Sequence, residues 1–107
     1  MKLPALLEIY FAADKAGGDA VPLSAFAPDG VVTDEGRTHV GHDAIAAWWR
    51  AAKAQYGHVA EPHEVSEQAG LTVVRTQVTG RFTGSPAMLT FAFRIAGGKI
   101  AALRIGA

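Results

Sequence analysis

The fold is decided by residues 26–49, which read FAPDGVVTDEGRTHVGHDAIAAWW. Residues 28–30, Pro-Asp-Gly, are typical of a tight turn, because proline presets φ, aspartate bonds its own backbone and glycine adopts positive φ. Residues 31–35 then read as a strand whose two-residue period places Val32 and Asp34 on one face. The stretch thus predicts an aspartate beside apolar side chains, and we expect the rest of the chain to enclose a pocket around it.

Composition limits the class of protein. At 107 residues the chain has the size of one domain, and we expect a single domain over residues 1–107. The charges of ten basic and ten acidic side chains cancel, so no net positive field attracts nucleic acid or an anionic membrane. No apolar run approaches the ~20 residues that span a bilayer, and a sequence without cysteine has no disulfide or thiolate metal site. We therefore expect a cytoplasmic domain with neither nucleic acid nor a membrane as partner.

Three helices are predicted in the N-terminal half. A shorter, second helix is predicted over residues 19–26, because Asp19 is a good N-cap. A third helix begins after Gly41 and ends at Gly57, a typical C-terminal glycine. The first helix covers residues 3–16, where apolar side chains recur at the spacing of a helix that lies on a core, namely Leu3, Leu6, Leu7, Tyr10 and Phe11.

The remainder of the chain predicts strands. A short strand is predicted at residues 37–40, and short turns join four further candidates, which indicates an antiparallel meander. Helices followed by a long curved antiparallel sheet indicate an α+β fold. With so few helices the sheet closes only in part, so we expect a cone, or partly open barrel, with an open mouth. The four further strands are residues 58–67, 71–79, 87–95 and 100–105.

Asp34 is the strongest candidate for a general base. Apolar pocket walls disfavour a carboxylate and raise its pKa toward the range in which it accepts a proton. The alternative is a structural carboxylate, bound to Arg37 or to backbone amides near the turn. Tyr10 lies within the apolar stripe of the first helix, so it is either a core tyrosine or a hydrogen-bond donor to a ligand oxygen.

The histidines do not form a metal motif. His39, His42 and Asp34 do not share a helix face as the ligands of zinc motifs do, so we expect no metal ion. His39 is instead predicted to line the pocket or to act as a second base, since histidine titrates near neutrality. His42 is expected to be exposed at the start of the third helix.

Trp48 and Trp49 are adjacent and diverge by ~100° on a helix. One is expected to seal the core and the other to line the cavity or a subunit contact; the alternative is that both are core residues. Glu35 and Arg37 lie on either side of a turn glycine, so an ion pair is expected between them.

Three stretches together resemble the nuclear transport factor 2-like superfamily, in its ketosteroid-isomerase-like and SnoaL-like branch. They are EIYFAADKAGGD at residues 8–19, the stretch at residues 26–49, and FAFRIAGGKIAALRIG at residues 91–106. The resemblance covers essentially the whole chain in the expected order of elements. It implies the cone-shaped fold, a homodimer and a pocket for a small apolar or cyclic molecule.

The resemblance also implies roles for single residues. Asp34 lies where ketosteroid isomerases keep their general base, and Tyr10 matches the tyrosine that donates to the oxyanion. Trp49 falls where a supporting tyrosine often sits, and Phe91 stands where those enzymes have their second oxyanion donor, a protonated aspartate. The residues expected to be catalytic are Asp34, Tyr10 and His39, and those expected to contact the ligand are Trp48, Trp49, Phe91 and Phe11.

This superfamily hosts isomerases, polyketide cyclases, dehydratases, epoxide hydrolases and binding domains, so the fold does not decide the chemistry. The leading hypothesis is a small-molecule pocket that serves a cofactor-free isomerase or cyclase, because phosphate-binding and metal motifs are absent. The alternative is a ligand-binding or dimerisation domain without catalysis. A third hypothesis, a hydrolase with a water held between Asp34 and Arg37, requires Arg37 to point inward.

Overall fold

The computed structural model describes residues 1–107 and shows two α-helices and six β-strands. In chain order they are α1 (Ala5–Ala16), β1 (Phe26–Asp34), β2 (Arg37–Val40), α2 (His42–Tyr56), β3 (Val59–Gln68), β4 (Leu71–Thr79), β5 (Ala87–Ala96) and β6 (Lys99–Gly106). The strands form one sheet in the order β2-β1-β6-β5-β4-β3, and both helices pack on one face of it. The predicted α+β class is confirmed. Neither helix is long and apolar enough to cross a membrane.

The predicted count of three helices is wrong. Residues 19–26 contain only a three-residue 3₁₀ turn, Leu23–Ala25. This turn follows Pro22, which has no N–H to donate, and precedes Phe26, which already pairs with Ile100 of β6. A helix of two turns is marginal in water by itself, so pairing with the sheet prevails over the local helical pattern.

The predicted turn at residues 28–30 lies inside a strand. β1 is one continuous strand, and its register with β6 shifts between Phe26 and Val31. Proline cannot donate to a sheet ladder and glycine tolerates close backbone approach, so Pro-Asp-Gly forms an irregularity in the strand instead of ending it. Gly41 donates its backbone N–H to the carbonyl of Gly30 at 2.8 Å, which brings the start of α2 beside this irregularity.

The sheet is mixed, which corrects the expectation of a wholly antiparallel one. β6 pairs with β5 in the antiparallel sense and with β1 in the parallel sense. The chain leaves the β1–β2 hairpin through α2 and returns as the β3–β6 meander, so its last strand meets β1 on the side opposite β2. β2 and β3 remain as free edges, and the sheet does not close into a barrel.

The core lies between the helices and the sheet. Alternate side chains of β4, from Thr72 to Val78, point toward the helices and are buried. Phe91 and Phe93 do the same on β5, as their two-residue spacing predicts. The buried side chains that the helices add are Leu7, Tyr10, Phe11, Asp14, Ile45, Ala46 and Trp49. The two layers also enclose a cavity.

Candidate functional site

A cavity of about 600 Å³ lies between the helices and the sheet. This volume is within the range of small-molecule sites, roughly 300–1,000 Å³. Most of its lining side chains are apolar, among them Trp48, Val78, Leu89 and Phe91. Its titratable lining side chains are Tyr10, Asp14, Asp34, Glu35, Tyr56 and His58. Apolar walls with a few polar groups are the usual make-up of a ligand site.

Asp34 is the last residue of β1, and its side chain lines the cavity. The next two residues, Glu35 and Gly36, form the loop of the β1–β2 hairpin with φ values of 53° and 74°. Positive φ at both positions is characteristic of a type I′ turn, whose twist matches that of the paired strands. The tight turn therefore holds the end of β1, and with it the carboxyl group, in one position.

Trp48 of α2 contacts this carboxyl group directly. Its indole N–H donates to Oδ2 of Asp34 at 3.1 Å, and no other side chain bonds the carboxyl. Burial raises the pKa of Asp34, the bond from Trp48 opposes this, and the negative charge of Glu35 adds to it. The net effect is a raised pKa, so Asp34 binds a proton more readily than an exposed aspartate does.

Tyr10 is only 2% exposed, and its ring packs edge-on against Trp49 and Phe93 with centroid distances of 5.5 and 5.3 Å. It lines the cavity, and no group of the chain bonds its hydroxyl. Burial raises the pKa of Tyr10 well above its usual value, and the charges of Asp14 and Asp34 raise it further. The phenol therefore keeps its proton and is available as a hydrogen-bond donor to a ligand.

A second polar group, which sequence reasoning missed, surrounds the buried Asp14 at the end of α1. Oδ1 of Asp14 lies 2.9 Å from Nζ of Lys53 and 3.2 Å from Nε2 of His58. Oδ2 accepts the backbone N–H of Ala60 at 2.6 Å. Lys53 also donates to the backbone carbonyls of Asp14 and His58, at 2.8 and 2.7 Å. We name Asp14, Lys53 and His58 the Asp14 cluster.

The Asp14 cluster keeps its aspartate ionised. Burial alone raises the pKa of Asp14, but hydrogen bonds from His58, Lys53 and Ala60 outweigh it and hold the pKa below its usual value. One signal in the sequence points to this position. Asp14 follows Tyr10 by four residues, so helical spacing places a charged side chain on the buried face of α1.

Most of the predicted site residues lie together. The ones that line the cavity are Asp34, Tyr10, Trp48, Trp49 and Phe91. Both tryptophans therefore reach the cavity; Trp49 is 3% exposed, and its buried indole N–H has no partner. Phe11 and His39 are not on this lining: the ring of Phe11 packs 5.7 Å from that of Phe91, and the ring of His39 lies 6.1 Å from that of Trp48. Their roles toward a ligand stay predictions.

The expected ion pair between Glu35 and Arg37 is not formed. The type I′ turn directs Glu35 toward α2, where it accepts a hydrogen bond from the hydroxyl of Tyr56 at 2.9 Å. Arg37 is exposed and does not line the cavity. A hydrolase that holds water between Asp34 and Arg37 would need that side chain inside, and the structure places it outside.

No group of three His, Asp or Glu side chains is arranged to hold a metal ion. His42 is partly buried, and its Nε2 lies 3.0 Å from the carbonyl oxygen of Phe26, which corrects the expectation of an exposed side chain. This contact joins the first turn of α2 to the first residue of β1. Beside Asp14, the position of a cation is taken by the ammonium group of Lys53.

Known proteins share this fold. A proposed polyketide cyclase from Sinorhizobium meliloti is 46% identical, with a TM-score of 0.91, over 96% of this chain and 94% of that one. A protein with a ketosteroid-isomerase-like fold from Catenulispora acidiphila, solved in complex with trimethylamine, is 18% identical with a TM-score of 0.84, over 99% of this chain and 87% of that one. A computationally designed 17-OHP binder is 17% identical with a TM-score of 0.78, over 95% and 87% of the two chains. No curated protein matches the chain.

The sequence itself matches a family along most of its length. Residues 7–103 match the SnoaL-like domain. This range contains Asp34, Tyr10 and the whole Asp14 cluster. The predicted resemblance is confirmed: the chain belongs to the family of SnoaL-like domains, with the fold of ketosteroid-isomerase-like and nuclear transport factor 2-like proteins.

Proposed function

We propose that the cavity binds a small cyclic carbonyl compound and that Asp34 moves a proton at the carbon next to the carbonyl. The protein is then a cofactor-free isomerase or cyclase. The observation that carries this proposal is a half-buried carboxyl group with a raised pKa on the lining of an apolar cavity. Such a group is a stronger base toward a C–H bond than an exposed carboxylate, which is what proton abstraction requires.

Two neighbours of Asp34 support the same reaction. When a proton leaves the carbon, negative charge develops on the carbonyl oxygen, and a fixed donor lowers the barrier by stabilising that charge. Tyr10 has a free hydroxyl and a raised pKa, so it donates a hydrogen bond without losing its proton. Trp48 holds one carboxyl oxygen of Asp34 and thereby orients the other. His39, whose ring lies beside Trp48, acts on the site only through that contact.

The class of substrate is supported by a relative. The Sinorhizobium meliloti protein that is 46% identical to this chain is a proposed polyketide cyclase. Polyketides carry several carbonyl groups, and the carbons between them are acidic, so a carboxylate base suffices. A cavity of about 600 Å³ with mostly apolar walls suits a compound of one to three fused rings.

A second function, ligand binding without catalysis, is favoured by one observation. Phe91 is buried and apolar, and the resemblance to ketosteroid isomerases assigns it the position of their second oxyanion donor. With Tyr10 as the single neutral donor, the cavity binds a carbonyl compound but stabilises its enolate less. The two functions therefore differ in one observable property: an enzyme exchanges the α-proton of the bound compound, and a non-catalytic pocket does not.

The experiment measures deuterium uptake next to the carbonyl of β-tetralone, a bicyclic ketone, in heavy water. Proton NMR follows the loss of the α-proton signals with wild-type protein, with Asp34→Asn and with buffer alone. We expect Asp34→Asn to lower the protein-dependent rate by about 10²-fold or more, as removal of a general base does. Asp29→Asn is the matched control, because Asp29 is an exposed aspartate on the same strand.

The two proposed functions give different results. Exchange that depends on Asp34 but not on Asp29 supports the enzyme. Binding of β-tetralone without protein-dependent exchange supports the non-catalytic pocket. Equal exchange by the wild type and Asp34→Asn removes Asp34 as the base.

A further inference from the structure

The Asp14 cluster has no part in the steps above, yet His58 lines the same cavity as Asp34. We propose that His58 gives a proton to the ligand's carbonyl oxygen while Asp34 takes one from the adjacent carbon. Asp14 is the positioning residue that orients His58 for this transfer. The inference rests on the proposed function and supplies the other half of its proton transfer.

The orientation of His58 is set by a buried carboxylate. Nε2 of His58 lies 3.2 Å from Oδ1 of Asp14, which is itself 2% exposed. Asp14 cannot move, because it also binds Nζ of Lys53 and the backbone N–H of Ala60. A carboxylate on one imidazole nitrogen fixes the ring and leaves the other nitrogen to the substrate. Here that nitrogen is Nδ1, which has no hydrogen-bond partner in the chain.

The groups involved are close enough to act on one ligand. Tyr10 and Asp14 are four residues apart and share a face of α1. Tyr10, Asp14, Asp34 and His58 all line the same cavity. A ligand bound there can therefore contact the Tyr10 hydroxyl, the His58 imidazole and the Asp34 carboxyl group.

The step balances without another reactant. Asp34 takes the α-proton, the C–H electron pair becomes the carbon–carbon double bond of an enol, and the carbonyl oxygen takes the Nδ1 proton of the His58 imidazolium. In the return step, Asp34 delivers its proton to a carbon of the enol, the enol hydroxyl returns its proton to Nδ1, and the carbonyl reforms. Both side chains recover their starting state. Burial raises the pKa of Tyr10 well above its ordinary value, so Tyr10 donates a hydrogen bond to the oxygen and keeps its own proton.

The ligand class follows from this arrangement. His58 donates a proton to the oxygen and Asp34 removes one from the carbon. This pair suits a ketone whose enol is conjugated, such as an aryl ketone or a β,γ-unsaturated cyclic ketone. The apolar walls contact the ring of the ligand. His58 supplies the second donor to the carbonyl oxygen, which the apolar side chain of Phe91 cannot supply.

The test compares His58→Gln with His63→Gln in the β-tetralone exchange reaction. Glutamine keeps a hydrogen-bonding amide near Asp14 but cannot transfer a proton. We expect His58→Gln to lower kcat by about 10²-fold, the contribution of one general acid, with KM nearly unchanged. His63 is an exposed histidine on β3 outside the cavity, so its variant serves as the matched control.

The pH profile separates proton transfer from a structural role. With wild-type protein we expect the exchange rate to fall at low pH as Asp34 takes a proton, and to fall again at high pH if a general acid takes part in the reaction. His58→Gln keeps the first limb and loses the second. The charged and titratable groups around His58 are Asp14 and Tyr10 on α1, Lys53 and Tyr56 on α2, Asp34 and Glu35 at the end of β1, and Arg81 after β4.

We expect the His58→Gln variant to fold. Lys53 binds the backbone carbonyl of His58, not its side chain, so that contact survives the substitution. Thermal unfolding checks this point. As a second readout, free imidazole added to His58→Ala restores exchange if His58 transfers a proton, and does not if the side chain only packs.

One measurement does not depend on exchange. Heteronuclear NMR of nitrogen-labelled wild-type protein reports the His58 Nδ1 resonance during titration with β-naphthol, whose hydroxyl mimics an enol. We expect a large shift of Nδ1 and a small one of Nε2, which stays beside Asp14. An Nδ1 resonance that does not move at the highest β-naphthol concentration overturns the inference, as does a His58→Gln rate and pH profile equal to those of wild type. The NMR titration does not need exchange. A wild type without protein-dependent exchange therefore removes the proposed function but leaves the Nδ1 shift as a test of His58, so the two proposals fail separately.

Discussion

At the scale of the residue, opposing influences set the pKa of Asp34. Burial favours the protonated form, whereas the indole N–H of Trp48, at 3.1 Å from Oδ2, favours the carboxylate. A hydrogen bond to the charged form lowers a pKa and desolvation raises it. The net result is a raised pKa, which makes Asp34 a better proton acceptor than an exposed aspartate.

The first prediction concerns Trp48→Phe. This change keeps an aromatic ring but removes the N–H, so we expect the pKa of Asp34 to rise further above its usual value. The measurement is a carboxyl-carbon NMR titration of labelled protein, with Asp34→Asn to assign the signal. The exposed Asp29 provides an internal reference that should not change. An Asp34 pKa that falls or stays the same in Trp48→Phe contradicts this account of the site.

At the scale of the element, one side chain ties together three segments. Lys53 of α2 binds the carboxylate and the backbone carbonyl of Asp14 on α1, and the carbonyl of His58 just before β3. The side chains of Lys53 and Asp14 are 8% and 2% exposed. A buried ion pair contributes little net free energy, but removing one partner leaves the other charge uncompensated.

The second prediction is that Asp14→Asn lowers the free energy of unfolding by about 3–5 kcal/mol, because it leaves the Lys53 ammonium buried without a counter-charge. Urea denaturation followed by circular dichroism measures this. The double variant Asp14→Asn, Lys53→Met should recover much of the loss. If the double variant recovers none of the lost free energy of unfolding, the hydrogen bond from the backbone of Ala60, and not the ion pair, is the main contribution.

The pH dependence of this effect has a definite sign. The folded-state pKa of Asp14 is lowered, so its stabilising contribution is present above the unfolded-state pKa, ~3.9, and is lost as the pH falls below it. The stability difference between wild type and Asp14→Asn should therefore be large at neutral pH and shrink in acid. A difference that stays constant from neutral pH to strong acid contradicts the assignment.

At the scale of the whole molecule, the outer face of the sheet has no element packed on it. Val73, Ala92 and Arg104 are cross-strand neighbours on this face, as are Arg94 and Ala102. Their side chains alternate with the buried ones that face the helices. Small apolar side chains at the centre with arginines beside them suit a contact between two copies of the chain.

The third prediction is a homodimer in solution. Light scattering should give a mass of twice the 11.2 kDa of one chain. Ala92→Arg places a third arginine beside Arg94 and Arg104, so it should produce monomers that keep the far-UV spectrum of the wild type. Ala51→Arg, at an exposed position of α2 on the opposite side of the sheet, should remain dimeric. A monomeric wild type at every concentration removes the outer face as an interface.

The sequence by itself predicted the features that depend on local periodicity. The apolar stripe of α1, the alternation of Phe91 and Phe93 on β5, and the common face of Val32 and Asp34 all follow from spacings of a few residues. Backbone geometry imposes these spacings wherever the segment lies. The α+β class follows from the order of such segments.

The tertiary structure decided what depends on residues far apart in the chain. Residues 19–26 do not form a helix, because Phe26, the first residue of β1, pairs with β6, and the parallel contact of these strands makes the sheet mixed. Asp14 and His58 are 44 residues apart and meet only because the end of α1 packs against the start of β3. Local spacing carries no information about such a meeting, since a buried charge is stabilised by whichever partners the packing brings to it.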